Sequence, residues 1–458
     1  MFLPISLLIY YISPKKFRNC ILFVVSLIFY AWGEPIYIFL MIATIVFDYF
    51  MALKIDKYKS ETKKSKLLFI FTLVVNISIL VFFKYIGFLL VNINNIFSLN
   101  ISFDELALPV GISFYTFQVL SYIVDVYLKR VNVQRNFISF GTYVTMFPQL
   151  IAGPIVQYES IEKQLSNRKE SIDLFGEGVE RFIKGLAKKV LLANNIGILW
   201  TTISSMDINS ISVLTSWIGI VAYTFQIYFD FSGYSDMAIG LGKMFGFKLI
   251  ENFNFPYIST SITEFWRRWH ISLGSWFRKY IYIPLGGNRV SQNKHIRNIL
   301  VVWFLTGLWH GASWNFIVWG LYYGLILLFE KIVFNKILQK IPTYIKHIYT
   351  MFLVIIGWVF FASNDLLSAI NYLKVMFCFN HNVFIDNAAI YYLYTNFILF
   401  VILTICSTPF SQKILNNIDK KLKIPYAYTS LFVYMFILFL TTAYLVNETY
   451  NPFLYFRF

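Results

Sequence analysis

The sequence predicts an all-α protein that crosses a membrane many times. Of its 458 residues, 58% are apolar and only 14% are charged, and the apolar residues gather in long runs between short loops. Soluble domains average about 25% charged residues, and a helix needs about 20 apolar residues to cross a bilayer. We therefore expect about 11–12 transmembrane helices with additional re-entrant segments, in a single membrane domain over residues 1–458.

The distribution of lysine and arginine predicts the orientation of these helices. Alternate loops are basic, from Lys15–Arg18 through Lys129–Arg135 to Lys413–Lys423, whereas loops such as Asn92–Glu105 carry few basic residues. Basic loops stay in the cytoplasm, so we expect both termini outside it. The same rule explains the net charge of +16 without a nucleic-acid partner.

The apolar runs predict the approximate positions of the helices. We expect them at 2–13, 19–33, 36–53, 67–91, 106–128, 183–204, 213–242, 298–309, 313–331, 347–363, 391–409 and 427–447. Two stretches do not fit simple crossings: Phe137–Val156 has basic loops on both sides, and the 298–331 pair must turn back quickly. Broken backbone at membrane depth needs protein or water around it, so both stretches indicate a site.

His310 is the first candidate for chemistry, because it lies in an apolar run between Trp309 and Gly311. An ionisable residue at membrane depth is a functional hypothesis by default, and a neutral imidazole can accept a proton from a hydroxyl or thiol. The alternative is a structural histidine. Trp309 and Asn315 are candidates for substrate binding beside it.

His270 is the second candidate, at the end of an arginine-rich amphipathic segment. On a helix, Glu264 and Arg268 would be i,i+4 partners, and Arg267 would share a face with His270 or flank it. We expect His270 at the cytoplasmic end and His310 deeper in the membrane, as two stations on one path. An interfacial helix whose arginines meet lipid phosphates is the alternative.

Asp230 and Asp236 lie near the cytoplasmic end of an otherwise apolar helix. Their spacing of six residues separates them by about 120° around the helix, so they do not form a paired acid and base. We expect one of them to pair with an arginine of the 267–278 segment, with direct catalysis as the alternative, and both are candidates for substrate binding. The basic residues after His270 would attract a polyanionic acyl donor. No metal-ligand or thiol spacing occurs.

Five blocks of this sequence, in order along roughly residues 1–360, resemble the membrane-bound O-acyltransferase superfamily. They look closest to the branch that O-acetylates alginate and peptidoglycan in bacteria. The blocks are Leu108–Tyr115 (LPVGISFY), Pro148–Pro154 (PQLIAGP), Phe229–Asp236 (FDFSGYSD), Phe265–His270 (FWRRWH) and Leu308–Ala312 (LWHGA).

The resemblance implies a ring of tilted helices around a central tunnel in the bacterial cell membrane. His310 matches the catalytic histidine of the family and His270 its second histidine, while Asp230, Arg267 and Arg268 match positions in or near the site. It also implies an acyl donor at the cytoplasmic face, such as acetyl-CoA or an acylated carrier protein, and no bound cofactor. A glycan acceptor and an extracytoplasmic SGNH-type esterase or transferase partner complete the expected system.

Three alternatives stay open at this point. The branch that transfers D-alanine to teichoic acid from a carrier protein shares the architecture and both histidine positions. A protein-lipidating acyltransferase of the same superfamily would need a deep apolar slot. A transporter, which is a different class of protein, would also use intramembrane aspartate and histidine.

Overall fold

The computed structural model describes residues 2–104, 106–151, 153–379, 382–410 and 425–447. Its contacts group into two compact units, one of Met1–Val179 with Ala238–Ile250 and one of Glu180–Met237 with Glu251–Phe458. Within the described ranges the regular elements are helices and no strand occurs, which confirms the all-α prediction. The basic stretch Lys413–Lys423 and both terminal residues lie outside those ranges.

The first unit begins at the amino-terminal end of the chain. Its helices are α1 (Phe2–Ile12), α2 (Arg18–Gly33), α3 (Tyr37–Lys57), α4 (Thr62–Lys84), α5 (Ile86–Phe97), α6 (Ile112–Tyr127), α7 (Phe137–Thr145), α8 (Phe147–Leu150) and α9 (Tyr158–Asn167), with a 3₁₀ turn at Lys15–Phe17. Helix α10 (Ile172–Ala187) begins in this unit and ends in the second.

Two predicted helices of this unit have different limits in the structure. The helix expected over 106–128 begins only at Ile112, because Gly111 has a left-handed backbone with φ of +76°. A Cβ at Gly111 would lie 2.8 Å from the carbonyl oxygen of Leu150, so the close approach also requires glycine. The helix expected over 67–91 is divided at Tyr85 into α4 and α5.

The apolar stretch 137–156 is a broken element, as its proline and glycine content predicts. Helix α7 ends at Thr145, Met146 takes a non-helical backbone with ψ of 107°, and α8 restarts at Phe147 with Pro148 in its first turn. Proline is tolerated there because the first amides of a helix have no partner within the helix. The side chains of residues 140–150 are buried, so protein surrounds the break.

The second unit carries the candidate site. After α10 it contains a π-helical segment (Lys188–Asn194), α11 (Asn195–Ser204), α12 (Val213–Met244, to residue 237), a 3₁₀ turn (Pro256–Ile258), α13 (Ile262–Arg268), α14 (Ile271–Phe277), a second π segment (Arg278–Tyr282), α15 (Gln292–His310), α16 (Trp314–Phe329), a third π segment (Glu330–Phe334), α17 (Asn335–Lys340), α18 (Thr343–Ala362), α19 (Leu366–Met376), α20 (Asn387–Cys406) and α21 (Pro425–Asn447).

Seven helical stretches in the described ranges are long and apolar enough to cross a membrane. They are Lys15–Gly33, Tyr37–Lys57, Thr62–Lys84, Trp314–Phe334, Thr343–Ala362, Asn387–Cys406 and Ser430–Asn447. Most of their surface is unburied by protein, with only 6–44% of each apolar window buried. Exposed apolar surface of this extent is what a lipid environment requires, so the protein is a multi-pass membrane protein.

Helices α15 and α16 form a close hairpin whose contact depends on glycine. A Cβ at Gly307 would lie 2.3 Å from the carbonyl oxygen of Phe316, and one at Gly320 would lie 2.3 Å from the carbonyl oxygen of Trp303. Small residues let the backbones of membrane helices approach in this way. The hairpin expected over 298–331 is therefore present, with α15 extended back to Gln292.

The hairpin predicts unequal effects for two glycines one turn apart on α16. Gly320→Ala is expected to lower stability by about 1–3 kcal/mol, because the methyl group meets backbone that no rotamer change can move. Gly324→Ala should cost less than Gly320→Ala, because its Cβ would lie 3.1 Å from Trp303 Cβ, a contact that a shift of a few tenths of an ångström relieves. Loss of monodisperse protein on heating in detergent measures both, and equal midpoints would contradict this packing.

Candidate active site

His310 is the last residue of α15 and is 5% exposed. Its imidazole packs edge-on against the rings of Trp309, Trp319 and Phe361, with centroids 5.0–5.1 Å apart. Gly311 then ends the helix with extended backbone, and a Cβ there would lie 2.3 Å from an aromatic carbon. The imidazole is thus held at a helix end inside a wall of aromatic rings that excludes bulk water.

His270 lies between α13 and α14 and is 2% exposed. Its φ of +46° is uncommon for a residue other than glycine, and such backbone strain often occurs at functional sites. The imidazole packs on the ring of Phe231, with centroids 4.8 Å apart. Burial lowers the pKa of His270, which is outside the seven candidate spans, to about 3, and this shift favours the neutral ring.

One indole ring contacts both histidines. The Trp309 centroid lies 6.0 Å from that of His270 and 5.0 Å from that of His310. The two imidazoles were expected to be separate stations, one at the cytoplasmic end and one deeper in the membrane. The structure places both imidazoles against the same indole ring.

Asn252, which the sequence did not single out, fixes the position of His270. Its Oδ1 lies 3.1 Å from His270 Nδ1 and accepts hydrogen bonds from the backbone amide and the hydroxyl of Ser272. Its Nδ2 donates to Ser235 Oγ on α12, and its carbonyl oxygen accepts from the amide of Ile271. The loop after α12 thereby holds Ile271 and Ser272, the two residues that follow His270.

The arginines before His270 do not share a helical face with it, because α13 ends at Arg268. Arg268 pairs with Glu264 at 2.9 Å, as the i,i+4 spacing predicted, and also donates to the carbonyl oxygen of Asn254. Burial alone would raise the pKa of Glu264, but hydrogen bonds from Thr260 and Arg268 outweigh it and lower the pKa. Arg268 therefore has a structural position at the end of α13.

Glu330 is a second residue that the sequence did not single out. Its carboxylate is 4% exposed and accepts hydrogen bonds from the backbone amides of Ile262 and Thr263 and from the Thr263 hydroxyl. These amides open α13 and have no partner within the helix, and a carboxylate there also complements the helix dipole. Glu330 thus anchors the short helix that leads into His270.

Arg267 lines a cavity of about 470 Å³, here called the arginine cavity. A second cation, Lys331, lines it together with Glu330, and the rest of its wall is mainly apolar. The lining residues are Ser261, Thr263, Arg267, Tyr282, Ile299, Val302, Trp303, Leu327, Glu330, Lys331 and Leu338. A pocket of this size is in the usual range for small-molecule sites.

The two aspartates of α12 form ion pairs with partners other than those expected. Asp236 binds Arg181 at 2.6 Å and Lys188 at 2.7 Å, and Asp230 contacts Lys189. The expected pairing with an arginine of the 267–278 segment is therefore wrong. Lys188 and Lys189 are consecutive in the π segment, and each binds one of the two aspartates. The two aspartates lie about 120° apart around α12.

The ion pairs of Asp236 border a cavity that is larger than the arginine cavity. It has a volume of about 700 Å³ and combines charged residues of α10 and α12 with apolar residues of the π segment. Arg181 also binds Glu251 at 2.6 Å at its edge. We call it the ion-pair cavity.

A third cavity, here called the polar cavity, has a volume of about 360 Å³ and lies where α11, α18 and α19 meet. Its wall combines the rings of Trp200 and Tyr372 with neutral polar residues such as Asn364 and Asn371. Ala362 and Ser363, in its lining, directly follow Phe361, which packs on His310. The polar cavity therefore adjoins the aromatic wall of the site.

Asn315, expected to bind substrate, is fully buried, and both ends of its amide are used within the protein. Its Nδ2 donates to the carbonyl oxygens of Ser363 at 2.8 Å and Phe360 at 3.2 Å, and its Oδ1 accepts from the Ser313 hydroxyl. These bonds tie the start of α16 to the end of α18. In the described part of the chain, no three His, Cys, Asp or Glu side chains converge as a metal site.

Comparison with known proteins identifies the family. The model of the MBOAT, membrane-bound O-acyltransferase family, matches residues 129–370, which include both histidines. The chain is 41% identical over 386 residues to the "Probable alginate O-acetylase AlgI" of Pseudomonas aeruginosa, covering 83% of this chain and 73% of that protein.

Two further relatives differ in the group or acceptor that their names state. The chain is 37% identical over 411 residues to the peptidoglycan O-acetyltransferase of Helicobacter pylori, covering 82% of this chain and 77% of that protein. It is 30% identical over 251 residues to the teichoic acid D-alanyltransferase of Bacillus subtilis, covering 51% and 62%. The resemblance expected from the five sequence blocks is thus confirmed, and this chain is an O-acyltransferase that belongs to the membrane-bound O-acyltransferase family.

Proposed function

We propose that the chain transfers an acetyl group from a cytoplasmic thioester donor to a hydroxyl group of an extracytoplasmic cell-envelope polysaccharide. The observation that carries this proposal is the pair of buried imidazoles, His310 and His270, against the shared indole of Trp309. A buried neutral imidazole is a suitable general base for a hydroxyl group. The enzyme class follows from the family, and the proposal adds the donor, the acceptor and the residue roles.

His310 acts as the general base in this reaction. It takes the proton of the acceptor hydroxyl while the oxygen attacks the thioester carbonyl carbon, so that a C–O bond forms and the carbonyl becomes an oxyanion. When the oxyanion collapses, the C–S bond breaks and the thiolate takes the proton from the imidazolium. The products are an ester and a free thiol, and His310 returns to its neutral state.

The donor enters from the cytoplasmic side through the arginine cavity. Arg267 and Lys331 give this cavity two cations, and arginine binds phosphate groups with good geometry. Acetyl-CoA and acylated carrier proteins both present phosphate and a thioester arm. The loops around this cavity are basic, which is typical of the cytoplasmic side.

The acceptor approaches from the opposite side through the polar cavity. Its aromatic rings and neutral amides match the apolar faces and hydroxyl groups of a sugar, and two of its lining residues, Ala362 and Ser363, directly follow Phe361, which packs on His310. The adjoining stretches 205–212 and 363–387 are poor in lysine and arginine, which is typical of the outer side. An extracytoplasmic SGNH-type esterase or transferase is the expected partner for delivery to the glycan.

D-alanyl transfer to teichoic acid is the second candidate reaction. The D-alanyltransferase relative matches about half of the chain, whereas the acetyltransferase relatives match more than four fifths at higher identity. That difference in coverage favours acetyl as the transferred group. Acyl transfer itself is common to both candidates.

The decisive experiment uses inside-out membrane vesicles from the source bacterium, with the gene deleted or restored. With radiolabelled acetyl-CoA outside these vesicles, restored membranes are expected to place base-labile label on envelope glycan, and deleted membranes are not. A parallel reaction with labelled D-alanine, ATP and cytosol tests the second candidate. Label from D-alanine but not from acetyl-CoA would overturn the acetyl assignment.

A further inference from the structure

We propose that Asn252 is a positioning residue that holds His270 in the tautomer with its proton on Nδ1, so that Nε2 is the hydrogen-bond acceptor of the ring. The two ring nitrogens of a neutral histidine have opposite roles, and the bond made by one nitrogen decides the role of the other. The inference concerns which role His270 plays, and it deepens the proposed function on which that role rests.

The orientation of the Asn252 amide is the first step. The backbone amide of Ser272, which can only donate, lies 3.1 Å from the atom assigned as Oδ1. Turning the amide over would put two N–H donors face to face in a site where Asn252 is fully buried. At the other end, Nδ2 lies 3.1 Å from Ser235 Oγ, which can accept. Oxygen therefore faces His270.

The second step follows from the chemistry of that oxygen. Oδ1 lies 3.1 Å from His270 Nδ1, and an amide oxygen only accepts hydrogen bonds. Nδ1 must then carry the proton, because an unprotonated Nδ1 would place its lone pair against a lone pair of Asn252 Oδ1 in a buried site. Since the ring is neutral, Nε2 has no proton and accepts.

One rival arrangement uses the hydroxyl of Ser272. That hydroxyl lies 3.4 Å from His270 Nδ1, and donation along this line would require the opposite tautomer. The same hydroxyl lies only 2.9 Å from Asn252 Oδ1, which is the better hydrogen-bond distance. The shorter contact and the fixed backbone amide both favour the proton on Nδ1.

The tautomer decides between two roles for His270 in acyl transfer. With Nε2 protonated, the ring would donate to the oxyanion that forms on the thioester carbonyl. With Nε2 unprotonated, the ring accepts a hydrogen bond from an N–H or O–H group instead. In the tautomer that Asn252 holds, Nε2 of His270 carries no proton, so His270 does not stabilise the oxyanion by hydrogen-bond donation.

The test is the ¹⁵N NMR spectrum of protein labelled at histidine. In this spectrum, protonated and unprotonated ring nitrogens have distinct chemical shifts. The chain has five histidines, and the signals that disappear in His270→Gln belong to His270. We expect a protonated Nδ1 and a bare Nε2. A protonated Nε2, or averaged shifts for the two nitrogens, would overturn the proposal. The spectrum needs no activity, so its outcome is independent of the proposed reaction.

Variants separate the effect of Asn252 from a general loss of structure. Asn252→Leu should remove the preference for Nδ1–H, whereas Asn252→Asp, whose carboxylate still accepts from Nδ1, should keep it. Ser272→Ala should also keep it, because the rival hydroxyl is absent. Asn254→Leu, in the same loop, is the matched control. An unchanged His270 tautomer in Asn252→Leu, or a changed one in Ser272→Ala, would contradict the role of Asn252.

Discussion

Replacing His310 with glutamine is expected to lower acyl transfer by about 10²–10⁴-fold, which is the usual contribution of a general base. Glutamine fills much of the space between Trp309, Trp319 and Phe361 but cannot take the proton of the acceptor hydroxyl. The measurement is base-labile label on envelope glycan in vesicles supplied with labelled acetyl-CoA, normalised to the amount of enzyme.

The matched control for this variant is His347→Gln. His347 lies on α18 and contacts the carbonyl oxygen of Ser259 at 3.3 Å, away from the aromatic wall of His310. This variant should keep activity within a few-fold of the unmodified protein, because it leaves the reacting groups intact. Near-normal acetylation by a well-folded His310→Gln enzyme would remove His310 from the reaction as its base.

The segment around His310 was accessible to sequence reasoning because its signal is local. An ionisable residue in an apolar run is costly, so His310 is conspicuous at membrane depth. In the structure its sequence neighbour Trp309 packs on its ring, and Gly311 ends the helix against Phe316. The helical hairpin followed from the same apolar pattern. Features that depend on adjacent residues can therefore be predicted from the sequence.

The partners of the site were not accessible in the same way, because they come from distant parts of the chain. Asn252 reaches His270 through the path of an irregular loop, and Glu330 reaches α13 across 68 residues. Lys188 and Lys189 lie in a π-helical segment. Such a segment has a wider turn than an α-helix, and the pattern of apolar residues does not indicate where one occurs. Asp236 pairs with Arg181 and Lys188 and not with an arginine of the 267–278 segment. This choice of partners depends on how the helices pack, which the sequence pattern does not indicate.

Asp236→Ala is expected to lower stability by about 3 kcal/mol, at the low end of the range for breaking a buried ion pair. The side chain of Asp236 is 10% exposed, and its loss leaves Lys188 and part of the Arg181 guanidinium without their carboxylate. Those cations retain about a quarter of their exposure, at 27% and 29%, so water compensates in part. The midpoint of thermal unfolding in detergent measures the change.

A salt bridge of similar length serves as the control. Lys243 and Glu177 are 2.8 Å apart, but Glu177 is 61% exposed. Exposed pairs contribute about 0–1 kcal/mol, so Glu177→Ala should barely move the unfolding midpoint. Equal shifts for the two variants would show that burial does not decide the strength of the Asp236 cluster.

A triple replacement distinguishes a structural from a substrate-binding role for Asp236. Replacing a buried ion-pair cluster by apolar residues of similar volume is often neutral or stabilising, so Arg181→Met, Lys188→Met and Asp236→Leu together should recover most of the stability lost in Asp236→Ala. Both carboxylate oxygens of Asp236 already bind cations of the protein. We therefore expect the triple variant to recover acyl transfer as well. Recovered stability without recovered activity would instead assign Asp236, or a cation beside it, to substrate binding in the ion-pair cavity.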